Sequence, residues 1–122
     1  MVLVDTSVWI DHFRNNNEEL IRLLLNGTVV MQEFILGELA CGNIKNRTEI
    51  ISLLQSIPNV PKITIDEYLF FINAKRLYGK GLGFVDIHLL ASVKLSDITI
   101  WTLDKKLEEA AIRLKIDYKK RN

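Results

Sequence analysis

The sequence predicts an α/β fold in which a mostly parallel sheet of four to five strands carries helices on both faces. Short apolar segments rich in β-branched residues alternate with segments whose apolar residues recur at helical spacing. A length of 122 residues suits one hydrophobic core, and no linker or repeat divides the chain, so we expect one domain over residues 1–122. Strands are predicted at residues 2–4, 28–31, 62–65, 98–101 and 116–118, and helices at 8–13, 18–26, 32–42, 47–57, 66–78, 84–95 and around 107–114.

The first strand is predicted at Val2–Val4, whose unbroken apolar side chains are typical of a strand buried on both faces. Asp5 follows directly, and Thr6 or Ser7 is expected to cap the next helix. Asp5 then lies at the carboxyl end of a central strand, where open α/β sheets bind ligands. The alternative interpretation is that Asp5 is only a helix-capping acid.

Glu38 is the second candidate site residue. It lies four residues after Phe34 and three after Ile35 in the predicted helix over 32–42, so it shares their apolar face. A carboxylate on a core-facing stripe needs a partner or a function, because burying an unpaired charge is costly.

The predicted helix over residues 66–78, capped by Asp66, is apolar nearly all round at residues 68–72. Such a helix is buried on two sides or contacts a partner. We expect a homodimer surface here, with the helix over 47–57 beside it. The alternative is a large core within one monomer.

Two further acids follow later in the chain. Asp86 lies near the start of the helix over 84–95 and heads its apolar face, and Asp104 comes just after the strand over 98–101. In a parallel sheet the strand ends lie at one edge, so Asp5, Glu38, Asp86 and Asp104 can converge there.

Four neighbouring carboxylates would repel one another, which raises their pKa values unless a cation lies among them. Carboxylate oxygens are hard ligands that suit Mg²⁺ or Mn²⁺. A zinc site is not expected: the single cysteine, Cys41, is interpreted as a small buried hydrophobe and His88 as a packing or surface residue. A carboxylate-bound metal that keeps a water can activate it, so the pattern favours metal-assisted phosphodiester hydrolysis.

Composition agrees with this hypothesis. Of 15 acidic residues four belong to the candidate site, and the other 11 are outnumbered by 16 Lys and Arg, which leaves a mildly basic surface suited to an anionic polymer. A mixed solvated surface explains the same count. The lone cysteine suits a reducing cytoplasm, and no apolar run approaches the ~20 residues needed to span a membrane.

The sequence resembles the PIN-domain family through four motifs in order. They are Val4-Asp5-Thr6-Ser7, Gly37-Glu38-Leu39, the run from Gly83 to Ala91, and Thr102-Leu103-Asp104. In size it is similar to the VapC toxins of bacterial and archaeal toxin–antitoxin pairs.

The resemblance implies an α/β/α sandwich, Mg²⁺-dependent endoribonuclease activity and an antitoxin partner whose segment lies near the acidic pocket. It places metal-site acids at Asp5, Glu38, Asp86 and Asp104 and supporting hydroxyls at Thr6 and Thr102. Residues 47–78 match the family only in helical character, so the RNA target stays open.

Two other functions compete with this one. A phosphoacceptor signalling domain would need an acid after a middle strand, and residues 28–31 are followed by Gln32-Glu33 instead. A PIN-like scaffold could also bind RNA or a protein partner without cutting. Metal-dependent cleavage of RNA would separate the enzyme from both.

Overall fold

The computed structural model describes residues 1–120. Its strands are β1 Val2–Val4, β2 Val29–Val30 and β3 Thr99–Trp101. Its helices are α1 Thr6–Asn15, α2 Glu18–Leu25, α3 Glu33–Ala40, α4 Arg47–Gln55, α5 Ile65–Ala74, α6 Phe84–Ser96 and α7 Lys105–Arg113.

The sheet is parallel, with β1 between β2 and β3. Leu3 pairs with Val30 on one side and with Ile100 on the other. Parallel pairing brings the carboxyl ends of all three strands to one edge, which we call the carboxyl edge. The predicted α/β class with a parallel sheet is therefore confirmed, and Asp5 extends from the middle strand at that edge.

The described sheet has three strands rather than the expected four to five. The strand predicted over 62–65 is wrong, because Ile65 already belongs to α5, and Pro61 just before it has no amide hydrogen to donate to a ladder. The strand predicted over 116–118 is reduced to one isolated bridge between Ile100 and Asp117.

The core is built around β1 and α6. Leu3 and Val4 are fully buried, and seven consecutive residues of α6, from Ile87 to Val93, are buried. A helix that is buried over two full turns passes through the centre of the structure rather than along its surface. Asp86 lies immediately before this buried run, so the core itself fixes its place.

Three local expectations were wrong. Asp5 occupies the N-cap position of α1 in place of Thr6 or Ser7, although its side chain makes no capping bond. Thr64, not Asp66, caps α5 through a reciprocal capping box with Glu67. Cys41 is exposed rather than buried, since it lies just beyond the last turn of α3.

Helix α5 has one buried and one exposed apolar face. Tyr68 and Phe71 are buried, whereas Ile65, Leu69 and Phe70 are exposed. The apolar run is thus divided between the core and an uncovered stripe. Within residues 1–120, every helix is too short or too polar to cross a membrane.

Candidate active site

Asp5 is buried and held by two hydroxyl groups. Its Oδ2 accepts hydrogen bonds from Ser7 Oγ at 2.8 Å and from Thr102 Oγ1 at 2.7 Å. Only 7% of the residue is exposed. Its side chain makes no capping bond to α1, and both hydroxyls fix the orientation of the carboxylate instead.

The same two hydroxyls tie the loop after β3 to the start of α1. Thr102 Oγ1 accepts from the Asp104 amide at 3.0 Å, and Ser7 Oγ accepts from the Leu103 amide at 2.9 Å. We call Ser7, Thr102 and their bonds to Asp5 the hydroxyl clamp. Thr102 was expected as a supporting residue. The sequence indicates Ser7 only as a helix cap, and the structure adds its role as a hydrogen-bond donor to Asp5.

Thr6 supports Glu38 rather than Asp5. Its Oγ1 donates to Glu38 Oε1 at 2.8 Å and so joins the start of α1 to α3. Glu38 is exposed, which corrects the expectation of a core-facing carboxylate: helical spacing places it on the side of Ile35, but at the rim of that face.

Asp86 lies in the first turn of α6, where its Oδ2 accepts from the Gly83 amide at 3.1 Å. Burial raises the pKa of Asp86, and the negative charges of Asp5 and Asp104 raise it further, while the Gly83 bond acts in the opposite direction. Thr102 bonds both the Asp5 carboxylate and the Asp104 amide, which places these two acids at the same part of the carboxyl edge.

Asp104 is exposed and caps α7, its Oδ1 accepting from the Leu107 amide at 3.1 Å. It therefore has a structural role whatever else it does. One carboxylate oxygen of Asp104 caps the helix, and the negative charge of Asp104 still raises the pKa of Asp86.

Among the residues that the structure describes, no basic side chain forms an ion pair with these acids. The ion pairs found within residues 1–120 join Glu19 to Arg22 and Glu33 to Lys62. In the same part of the chain, no three acidic, His or Cys side chains lie close enough together to form a ready metal-binding group. The four candidates thus share an edge without closing into a coordination shell, and their all-oxygen donor set fits a hard divalent cation.

His88 is confirmed as a packing residue. It is 3% exposed and stacks on Tyr68 with ring centroids 4.7 Å apart, while Phe34 and Phe84 meet it edge-on. Burial lowers the pKa of its imidazole. This aromatic cluster joins α3, α5 and α6 just behind Asp86.

Comparison with known proteins agrees with this geometry. Residues 2–113 match the PIN domain. Ribonuclease VapC32 of Mycobacterium tuberculosis, from strains CDC 1551 and H37Rv, is 42% identical over 111 residues, which is 90% of each chain.

Solved structures share the fold at lower identity. The VapBC-1 structure from nontypeable Haemophilus influenzae matches with a TM-score of 0.71 and 17% identity, covering 98% of this chain and 97% of that one. FitAcB from Neisseria gonorrhoeae matches with a TM-score of 0.65 and 22% identity, covering 92% and 94%.

The family match covers nearly the whole described chain, and its first three motifs lie on β1–α1, α3 and α6, where the carboxyl edge is built. The chain therefore belongs to the PIN-domain family, among its VapC-type members.

Proposed function

We propose that the protein is a Mg²⁺- or Mn²⁺-dependent endoribonuclease that acts as the toxin of a toxin–antitoxin pair. The observation that carries the proposal is the set of carboxylates at the carboxyl edge, none of which forms an ion pair within residues 1–120, so their negative charges repel one another. Such repulsion is unfavourable unless the native protein binds a cation. The related ribonuclease VapC32 supports RNA as the substrate.

Asp5 and Asp86 would lie nearest the ion, with Glu38 and Asp104 completing the acidic site. When bound, the metal supplies an activated water and stabilises negative charge developing on phosphorus. The protein contributes orientation. The hydroxyl clamp holds Asp5, Thr6 holds Glu38 through one oxygen, and the Gly83 amide directs one oxygen of Asp86.

Purified protein should cleave single-stranded RNA in Mg²⁺ and stop when EDTA is added. Fragments are resolved on a denaturing gel, with protein treated identically but lacking metal as the control. RNA that is bound but never cut would indicate a binding scaffold instead and would refute the enzyme.

We also propose an antitoxin partner bound beside the acidic site in the reducing cytoplasm. A pocket of about 280 Å³ lies between the end of α1 and the turn after α3. Ile10, Phe13 and Leu39 form its apolar floor, and its charged lining is Glu38, Arg14 and Lys45. An apolar peptide segment fits this floor, and an Arg of that segment could reach the carboxylates. The structural neighbours include toxin–antitoxin complexes such as VapBC-1.

The antitoxin proposal is tested with the product of a small reading frame next to this gene. Co-purification should yield a complex that does not cut RNA, and Ile10→Glu should weaken it without affecting cleavage by the free protein. An unaltered complex would place the partner elsewhere.

The exposed stripe of α5 is proposed as a homodimer surface, with α4 beside it. A two-fold contact uses the same patch twice, so one introduced charge acts twice. Phe70, 75% exposed, is the residue to change, because Phe71 is 8% exposed and a charge there would disrupt the core. Phe70→Glu should give a monomer by light scattering, whereas Leu25→Glu, at an 82% exposed site on α2, should not. A monomeric wild type at high concentration would refute the dimer.

A further inference from the structure

A cationic groove lies between α7 and the segment that leads into α6. Its lining includes Lys80, Lys106 and Arg113, one carboxylate, Glu109, and the apolar floor of Leu77 and Leu82, and it encloses about 200 Å³. The charged side chains thus sum to a net positive groove. None of the three cations takes part in an ion pair found within residues 1–120.

The cations are ordered along the groove by local structure. On α7, Lys106 and Arg113 are seven residues apart, which puts them on one face about 10 Å apart. The Arg113 guanidinium donates to the Lys75 carbonyl oxygen at 2.5 Å. Lys106 Nζ lies against Gly81, where an added Cβ would be 2.6 Å from it. The glycine therefore lets the ammonium approach the backbone.

The groove leads to the proposed site. Gly81 is two residues before Gly83, so their Cα atoms are at most about 7 Å apart, and the Gly83 amide binds Asp86. A nucleic-acid backbone whose phosphates contact Lys106 and Lys80 would thus continue toward the carboxyl edge. Cations are needed there, since the acids alone would repel a polyanion.

An aromatic platform stands at the same end. Phe84 is 52% exposed, yet its ring packs on His88 and Tyr68 with centroids 4.4 and 5.0 Å away. A ring that is fixed from behind and open in front loses little freedom when a base stacks on it. Cationic grooves with adjacent aromatic rings are typical of sites for single-stranded nucleic acid, whose bases are free to stack.

We propose that single-stranded RNA lies along this groove, with phosphates on Lys80, Lys106 and Arg113 and one base stacked on Phe84 beside the cleavage site. The inference rests on the proposed ribonuclease function and specifies how the substrate is held. It selects unpaired RNA, because a paired base cannot turn out onto the ring without being unstacked first.

The test measures binding of a fluorescent single-stranded RNA in EDTA, where no cleavage is expected. Lys80→Gln/Lys106→Gln should weaken binding roughly 10- to 30-fold at 0.1 M salt and lower the salt slope by about 1.4, at about 0.7 per lost phosphate contact. The matched control is Lys94→Gln/Lys115→Gln, which removes two cations lining a pocket with Met1 at the opposite edge of the sheet. Equal losses in both pairs would overturn the proposal.

Loss of the stacking contact should change RNA affinity without changing its salt dependence, unlike loss of the lysines. Phe84→Leu should weaken binding roughly five-fold or more while leaving the salt slope unchanged, and Phe84→Tyr should restore binding. A thermal melt confirms that each variant is folded. A duplex of the same length should bind more weakly, and equal affinity for the duplex would overturn the choice of single strands. Absence of cleavage by the wild type in Mg²⁺ would refute the proposed activity, whereas the EDTA titrations decide the groove independently.

Discussion

Two acidic side chains of this protein, Glu19 on α2 and Asp86 at the carboxyl edge, differ in whether a neighbouring group compensates their negative charge. On α2, Glu19 accepts from Arg22 Nε at 2.8 Å and Nη2 at 3.1 Å, and from Tyr118 Oη at 2.7 Å. These bonds lower the pKa of Glu19, those from Arg22 foremost. At the carboxyl edge, Asp86 has a raised pKa because burial and two like charges oppose its ionisation.

The difference in charge compensation indicates a structural role for Glu19 and a ligand-binding role for Asp86. Glu19 is neutralised within the chain, so its charge joins α2 to the segment after α7 and leaves little capacity for a ligand. Asp86 has no such partner within residues 1–120 and is repelled by Asp5 and Asp104, which a bound cation would relieve. An acid left without a basic neighbour is therefore the better candidate for function, and the following variants test that contrast.

The largest expected effect is on cleavage. Asp86→Asn keeps an oxygen for the Gly83 amide but removes a metal-binding charge, so the rate of RNA cleavage should fall by several orders of magnitude. Glu19→Gln is the matched control and should cut at the wild-type rate. Gel-based initial rates measure both, and full activity in Asp86→Asn would contradict the site assignment.

A smaller effect is expected from the hydroxyl clamp. Thr102→Val removes one of the two donors to Asp5, and loss of a group that orients a metal ligand typically costs 10–100-fold in metal affinity or activity. Titration of the cleavage rate with Mg²⁺ should show a higher half-saturating concentration. Tyr118→Phe, which removes a hydroxyl from the paired acid, should leave the titration unchanged. A normal Mg²⁺ requirement in Thr102→Val would show that the clamp is purely structural.

The two regions should also differ in how metal and charge affect stability. Mg²⁺ at a hundred times its dissociation constant should stabilise the wild type by about 2.7 kcal/mol, because the unfolded chain does not hold the acids together. Asp86→Asn should reduce this shift, and Glu19→Gln should retain it. Thermal melts with Mg²⁺ or EDTA measure the difference, and an unreduced shift in Asp86→Asn would place the ion elsewhere.

The subtlest contrast is the pH dependence in EDTA. Asp86 has a raised pKa in the folded state, so its folded form binds more protons, and stability is lost as pH rises from its ordinary pKa through the raised one. Asp86→Asn should then melt higher than wild type at neutral pH. Glu19 has a lowered pKa, so its stabilisation is present above its ordinary pKa and is lost as pH falls through the lowered one.

Glu19→Gln should therefore melt lower than wild type at neutral pH and approach it in acid. Melts at several pH values between about 3 and 8 compare the three proteins, a range that covers the ordinary carboxyl pKa values. If Asp86→Asn melts below wild type at neutral pH in EDTA, Asp86 is a structural cap or pairing residue rather than a repelled site acid.

Local patterns in the sequence determined much of the fold. Val2–Val4 is apolar throughout and β-branched at its two valines, which predicts a buried strand, and Asp5 must follow at its carboxyl end. The helical spacing that begins near Asp86 likewise predicts a helix with an apolar face, and α6 is such a helix, although its burial extends all round over Ile87 to Val93. These features are predictable because periodicity reports which face of an element is apolar, and that is a property of neighbours in sequence.

Tertiary structure decided the number of strands, the partners of Asp5 and the exposure of single side chains, because these features depend on residues far apart in the chain. Residues 62–65 and 116–118 have strand-like composition, but the first segment leads directly into α5, and the second pairs with β3 only through the single bridge between Ile100 and Asp117. Ser7 and Thr102 are 95 residues apart, and only the packing of β3 against β1 brings both hydroxyls to Asp5. The exposure of Glu38 and Phe70 was settled in the same way, because helical spacing identifies an apolar face without showing what covers it.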